Sequence, residues 1–197
     1  PAFTAAAILT LAIGIGANTA IFSLVDSLVL RPLPYPNFER LRQLWTQNDL
    51  IGTYPVANGT SFLQWHDHAT TVDVAAISDR VSMNLIERGA AESVTGAAVS
   101  INYLELLGLQ PLRGRDFQRG DDVAGAARHM IILSHEWWQV RFGGDPVILH
   151  RTINLHQRSY QVVGILPPRA MAQDHVSFLV PIAWDDDGGW RLHQAFI

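Results

Sequence analysis

The chain has 197 residues, with 14 basic and 18 acidic side chains and a net charge of −4. Only 16% of residues are charged and 48% are apolar, against about 25% charged in an ordinary soluble domain, so a disordered chain is excluded. A mildly acidic chain without a basic run argues against nucleic acid as a partner. Cys is absent, which removes disulfides, thiolate catalysis and Cys-type zinc sites.

The apolar excess is concentrated at the start. No charged residue precedes Asp26, and the stretch Phe3–Leu30 is long enough for a membrane helix, which needs roughly 20 apolar residues. A cleaved signal peptide fits less well. No basic residue precedes the core, the core is long, and Ala17-Asn18-Thr19-Ala20 is a poor cleavage site. A buried helix of a soluble domain is the weakest of the three readings. Ala12, Gly16 and Ala20 recur every fourth position, so they share one helix face on which backbones can approach closely. They are the candidate helix-packing residues. Asn18 and Thr19 are polar and offer bonds to a neighbouring helix or to their own backbone. Arg31-Pro32-Leu33-Pro34-Tyr35-Pro36 places proline at every second position and predicts a stiff, extended exit from the helix. The expected organisation is a transmembrane helix over 1–30, a proline-rich linker over 31–36 and one domain over 37–197.

That domain reads as mixed helix and strand. Phe38–Trp45 fits a short strand, or one helical turn leading into one. Phe62, Trp65 and Ala69 share a face, which predicts a helix over Ser61–Ala69, with Val72–Ile77 as its continuation. Ser82–Ile86 and Ser93–Ser100 predict two strands joined by a turn at Glu87-Arg88-Gly89. Ile101–Leu107 predicts a short helix stopped by Gly108. Pro111–Asp122 reads as loop, with Arg113-Gly114-Arg115-Asp116-Phe117 inside it. His129–Leu133 predicts a buried strand, and Ser134 an N-cap for a helix ended by Gly143-Gly144. Thr152–Leu155 and Ser159–Leu166 predict a hairpin around His156-Gln157-Arg158, stopped by Pro167-Pro168. Phe178–Ile182 is the last strand predicted. The end of the chain carries no closing signal. The fold class expected is α+β behind an N-terminal transmembrane helix.

The residues that invite chemistry have plainer explanations. Trp65-His66-Asp67-His68 gathers two imidazoles and a carboxylate, but positions i and i+2 on a helix do not share a face, so a metal site is not expected. Ser134-His135-Glu136 lacks a nucleophile elbow, and capping accounts for the serine. Gly14-Ile15-Gly16 lies inside an apolar span with no strand before it, and no P-loop is present. Asn58-Gly59-Thr60 matches a glycosylation sequon, a short and common pattern. Trp137 and Trp138 point about 100° apart on a helix, so at least one is expected in the core, and presentation of the other to an apolar cargo is the lesser reading. Asp185-Asp186-Asp187-Gly188-Gly189 lacks the spacing of a calcium loop. No catalytic, cofactor-binding or metal residue is assigned, and the substrate-binding residues are unknown.

Four segments together resemble one group of bacterial membrane proteins. FTAAAILTLAIGIGANTAIFSLVDSLVLRPLPYPNFERL resembles a first membrane helix and its exit. INYLELLGLQPLRGRDF resembles a helix followed by a "lG..p..GR.F" pattern. SHEWWQVRFGGDPVILHRTINL and SYQVVGILPP resemble "LS..lW..rFGgdp.ivGr.i.l" and "y.VvGV.P". The family is that of the MacB/FtsX-type ABC transporter permeases, in particular the acidobacterial duplicated orphan permeases. Two positions depart from it: His150 and Arg169 stand where the family commonly has glycine.

The resemblance implies a permease subunit of an ABC-type efflux or mechanotransmission system. Its MacB-like periplasmic core domain, truncated here, would follow the first helix. ATP would be bound by a separate cytoplasmic ABC ATPase, so no cofactor and no enzymatic chemistry are expected in this chain. It implies a homodimer or permease pair in the bacterial inner (plasma) membrane, with residues after about 31 on the periplasmic side. The charge pattern gives no orientation of its own. The alternative is a single-span anchored cell-envelope binding protein without transport.

Overall fold

A computed structural model describes residues 2–25, 35–36, 38–44, 46–48, 52–54, 57–87, 90–122, 129–171, 176–182 and 191–196. Asp26, the prolines at 32 and 34, the Arg88-Gly89 turn and the acidic run 185–189 lie outside these residues. The chain forms two compact units, Pro1–Pro34 and Tyr35–Ile197.

The first unit holds helix α1, Ala2–Val25. At 1.5 Å per residue it extends about 36 Å, longer than a bilayer core of about 30 Å. Its described side chains are exposed throughout, and Ala2–Ser23 has the length and composition of a membrane span. The hydroxyls are satisfied within the helix: Thr10 Oγ1 donates to the Ala6 carbonyl (2.9 Å) and Thr19 Oγ1 to that of Ile15 (2.8 Å).

The second unit is built on one large mixed sheet. In chain order its strands are β1 (Gln43–Leu44), β4 (Ala57–Asn58), β5 (Ala75–Glu87), β6 (Ala90–Val99), β7 (Arg113–Gly114), β8 (His129–Leu133), β9 (Thr152–Leu155), β10 (Arg158–Ile165), β11 (Phe178–Pro181) and β12 (Arg191–Phe196). Strands β2 (Thr46–Asn48) and β3 (Gly52–Tyr54) form a separate hairpin. The main path runs β1-β12-β5-β6-β11-β8-β10-β7. Strand β9 pairs with β10 and also touches β5 at Leu85 and Leu155. Strands β5, β6, β11, β8, β10 and β9 therefore close into a ring.

Two apolar clusters occupy the two faces of the sheet, and strand alternation sorts residues between them. Phe178 and Val180 of β11 belong to one, and Leu179 to the other; Ile131 and Leu133 of β8 oppose Ile132 in the same way. Helices α2 (Gly59–His68) and α4 (His135–Phe142) cover the first face, through Phe62, Trp65, Trp137 and Trp138. Helix α3 (Tyr103–Leu107) covers the second with Tyr103, Leu104 and Leu107, followed by Leu109 and Phe117.

Two irregularities change the parity of the alternation. In β5 the register shifts between Ile77 and Arg80, so Ala76 shares a face with Val81, Met83 and Leu85. Ser78 is buried at this irregularity, and its hydroxyl accepts the Ala98 amide at 2.9 Å. In β10 a shift between Val162 and Gly164 puts Val162 and Ile165 on one face and Val163 on the other. Such bulges insert one residue and bend the strand.

The helix predicted to continue over Val72–Ile77 is not formed. The chain bends over 70–72 and Ala75–Ile77 opens β5. The parity shift after Ile77 hides that strand from a period-two reading. The last residues, for which no element was predicted, contain β12, which pairs with β1, β4 and β5. The hairpin after Leu155 turns at His156 and Gln157, both with positive φ (49° and 64°), as a tight two-residue turn requires.

Candidate functional site

The residues singled out for chemistry are placed on structural duties. Ser134 is buried at 4% exposure, and its Oγ accepts the Trp137 amide (3.2 Å) at the N-terminus of α4. His135 stacks edge-on against Trp138, with ring centres 5.7 Å apart. Glu136 Oε1 accepts the Arg169 amide (2.8 Å), tying the turn after Pro167-Pro168 to α4. Trp137 and Trp138 are both buried, so the core holds the second ring as well as the expected one. Trp138 Nε1 donates to the Asp145 carbonyl (2.9 Å), and Trp137 meets Phe142 and Phe178.

His66 and Asp67 are exposed at the end of α2, 3.4 Å apart between Nδ1 and Oδ1. No group of metal-ligating side chains forms among the described residues. On α1, Ala12, Gly16 and Ala20 lie on an exposed surface, with open space where a Cβ on Gly16 would stand.

The surface does hold one cleft of about 470 Å³, lined by Arg40, Leu41, Thr71, Val72, Asp73, Asn102, Glu105 and Leu106. Asn102, one of its lining residues, belongs to a hydrogen-bonded staple. Ser100 Oγ accepts the Ala76 amide (2.9 Å) and donates to Asn102 Oδ1 (2.8 Å). Asn102 Nδ2 donates to the Val74 carbonyl (2.9 Å). The start of α3 is thereby fixed to the segment leading into β5. The sequence reading found none of this, because the lining comes from three separated segments. Ser100, which reads as the end of a strand, and Asn102, which reads as part of the short helix, were the available signal.

The Arg113–Phe117 segment follows α3 in the chain. Gly114 has φ +80°, and a Cβ there would lie 2.2 Å from the Val163 carbonyl oxygen. Gly164, its partner across the β7–β10 pair, would place a Cβ 2.5 Å from the Arg115 carbonyl oxygen. Two glycines are thus required where the backbones touch. Arg115 Nη1 and Nη2 hold Asp121 Oδ2 and Oδ1 at 2.7 and 3.3 Å, and Nη1 also donates to the Asp116 carbonyl (2.8 Å). Phe117 is buried in the same apolar cluster as Leu104 and Leu107. Burial pushes the Asp116 carboxyl up to about 6, against the Phe117 amide, which lowers it; Glu105 and Asp121 add to the rise, and Arg115 opposes it. Burial likewise raises the Tyr160 phenol, with Arg158 opposing.

Among the described residues the arrangement contains structural glycines, caps and a polar cleft. The model of the MacB-like periplasmic core domain family matches residues 4–194. The chain belongs to that family. The fold agrees. The periplasmic region of MacB from Actinobacillus actinomycetemcomitans superposes with a TM-score of 0.61 at 13% identity, over 79% of this chain and 72% of that one. The extracellular domain of the noncanonic ABC-type transporter YknZ from Gram-positive bacteria gives 0.58 at 17% identity, over 79% and 81%. A domain of a putative permease protein from Porphyromonas gingivalis gives 0.59 at 14% identity, over 82% and 76%. No curated protein matches the chain.

Both departures from the family's glycines fall on left-handed backbone. His150 has φ 69° and Arg169 φ 62°. The family's preference for glycine there follows from the conformation, which side chains with a Cβ adopt at a cost.

Proposed function

We propose that this chain is the membrane and periplasmic part of the permease subunit of an ABC-type efflux or mechanotransmission system. The observation that carries the reading is the family match at 4–194, which runs from the apolar helix α1 through the domain without a break. In this reading a cytoplasmic ATPase moves the membrane helices, and α1 passes that motion to the sheet domain. The domain contacts cargo or a partner outside the membrane and performs no chemistry of its own. Ala12, Gly16 and Ala20 give α1 a face on which another helix of the permease, or of a second copy, packs closely. The organisation proposed is a span over 1–30, a linker over 31–36 and the core domain from 37.

The test is the complete reading frame expressed in its own host. Further hydrophobic spans after Ile197, together with co-purification of an ATPase subunit whose turnover depends on the permease, support the reading. A single-span product that co-purifies with no ATPase overturns it in favour of an anchored binding protein.

A further inference from the structure

Three separated segments wall the cleft of about 470 Å³, and hydrogen bonds fix two of them to each other. Ser100 N donates to the Ala76 carbonyl (2.9 Å) and Ser100 Oγ accepts the Ala76 amide (2.9 Å), so Ser100 clasps Ala76 through both main-chain groups. Asn102 extends the clasp to the Val74 carbonyl (2.9 Å), the residue after Asp73. Asp73 and Glu105 therefore project from backbones that are held together. The third segment follows the single turn Phe38–Arg40. Its Leu41 packs half-buried against the second apolar cluster, as Leu106 does from α3. Val72 lines the same cleft and is 45% exposed. The lining thus combines an apolar part with one cation and two carboxylates. Among the described residues, no hydrogen bond or ion pair engages the side chains of Arg40, Asp73 or Glu105. Arg115, by contrast, is closed on Asp121 at 2.7 Å. Opposite charges that face one cleft without closing on each other leave both signs open to a complementary ligand.

We propose that this cleft binds a small zwitterion with an apolar body, an amino acid or a short peptide, its ammonium held by Asp73 and Glu105 and its carboxylate by Arg40. A guanidinium presents a planar fork that matches a carboxylate, and hydrogen bonds between charged groups are the strong ones. Two carboxylates against one guanidinium leave the lining net negative, so the ammonium is the better-held end. Leu41, Val72 and Leu106 receive the apolar body. A purely cationic ligand meets Arg40, and a purely anionic one meets two carboxylates, so neither suits the lining as well. The volume falls within the roughly 300–1,000 Å³ of small-molecule sites. The Ser100–Asn102 clasp fixes two walls in advance, which lowers the ordering cost of binding. The inference concerns binding by the sheet domain itself and stands apart from the permease reading.

The test is titration calorimetry on the full chain in detergent, with leucine and the dipeptide Leu-Leu as probes. N-acetyl-Leu-Leu and Leu-Leu amide are the controls, each lacking one of the two charges. The expected result is saturable binding of leucine or Leu-Leu, which tells a free amino acid from a peptide as the source. Each control is expected to bind at least about tenfold more weakly than Leu-Leu, the cost of one lost charged hydrogen bond. Arg40→Ala is expected to weaken the zwitterion about tenfold and to leave the amide unchanged. Asp73→Asn combined with Glu105→Gln is expected to weaken the zwitterion and to leave the acetylated form unchanged. All three side chains are exposed, so these substitutions keep the fold. No saturation by either probe at about 10 mM overturns the proposal. So does equal binding of the blocked dipeptides, or an affinity that Arg40→Ala leaves unmoved. Neither transport nor an ATPase enters the measurement, so failure here leaves the permease reading standing.

Discussion

Replacing Gly114 by Ala combines two costs that other glycines of this chain carry singly. The backbone there is left-handed, with φ +80°, and an L side chain pays about 1–2 kcal/mol for that region. The added Cβ would also stand 2.2 Å from the Val163 carbonyl oxygen and 2.9 Å from the Gly164 Cα. These are main-chain atoms with no rotamer to yield, so β7 must separate from β10. That puts at risk the bonds from Arg115 N to Val163 O (2.9 Å) and from Leu112 N to Ile165 O (2.7 Å), each worth about 1 kcal/mol net. The expected loss is about 3–5 kcal/mol. Gly143→Ala isolates the first cost, because its φ is +62° and nothing lies within 4 Å of its Cβ; about 1 kcal/mol is expected. Gly164→Ala isolates the second, with the Arg115 carbonyl oxygen at 2.5 Å and no positive φ; about 2–3 kcal/mol is expected. Denaturant unfolding in detergent, followed by the fluorescence of buried Trp137 and Trp138, measures all three. A Gly114→Ala loss no greater than that of Gly143→Ala would refute the close-approach argument.

Three further outcomes follow from the same structure. His150→Gly and Arg169→Gly remove left-handed strain at exposed positions and should each stabilise by about 0.5–1 kcal/mol, after the greater freedom of glycine in the unfolded chain; a loss in thermal midpoint for both would contradict this. Ser100→Ala leaves the buried Ala76 amide without its side-chain acceptor and frees Asn102, so about 1–3 kcal/mol should be lost, with increased exchange at residues 72–76. The Asp116 carboxyl sits near 6 in the folded chain against 3.8 when free; the folded state therefore holds the extra proton between those values, and this group's contribution to stability falls as pH rises from about 4 to 6. The difference in unfolding free energy between wild type and Asp116→Asn, measured across that range, should show that slope, and a flat difference would remove it.

What the sequence made legible was local. Ser134 at the start of α4, Gly143 at its end and Gly108 after α3 act through their own backbone geometry, so the residue type alone announces them. The strand pairs with clean alternation were equally open to reading. The misreading at Val72–Ile77 arose where tertiary structure intervened. The β5 bulge flips the side-chain parity after Ile77, so two short half-strands never present a continuous period of two. Strand β12 depends on partners more than 100 residues earlier, and no local signal encodes such a pairing. Burial of both Trp137 and Trp138, where one was expected in the core, has a different reason. The 100° rule describes one helix in isolation, whereas the two rings of α4 meet the core cluster on one side and the Asp145 carbonyl on the other. The cleft was invisible because Arg40, Asp73 and Glu105 come together only through the fold.

The departures from the family pattern carry information of another kind. At His150 and Arg169 the backbone keeps the left-handed conformation that the family's glycine would adopt freely. The surrounding bonds explain why the turns persist: His150 N donates to Val162 O (2.8 Å), and Arg169 N to Glu136 Oε1 (2.8 Å). Each bond, worth about 1 kcal/mol, is of the size of the strain it opposes. At Gly114 no such trade is available, because the obstacle is the Val163 carbonyl itself. A glycine needed for its dihedral angle can be lost when a hydrogen bond holds the turn. A glycine needed for the space it leaves cannot, and the "GR.F" pattern retained at 114–117 marks that second kind.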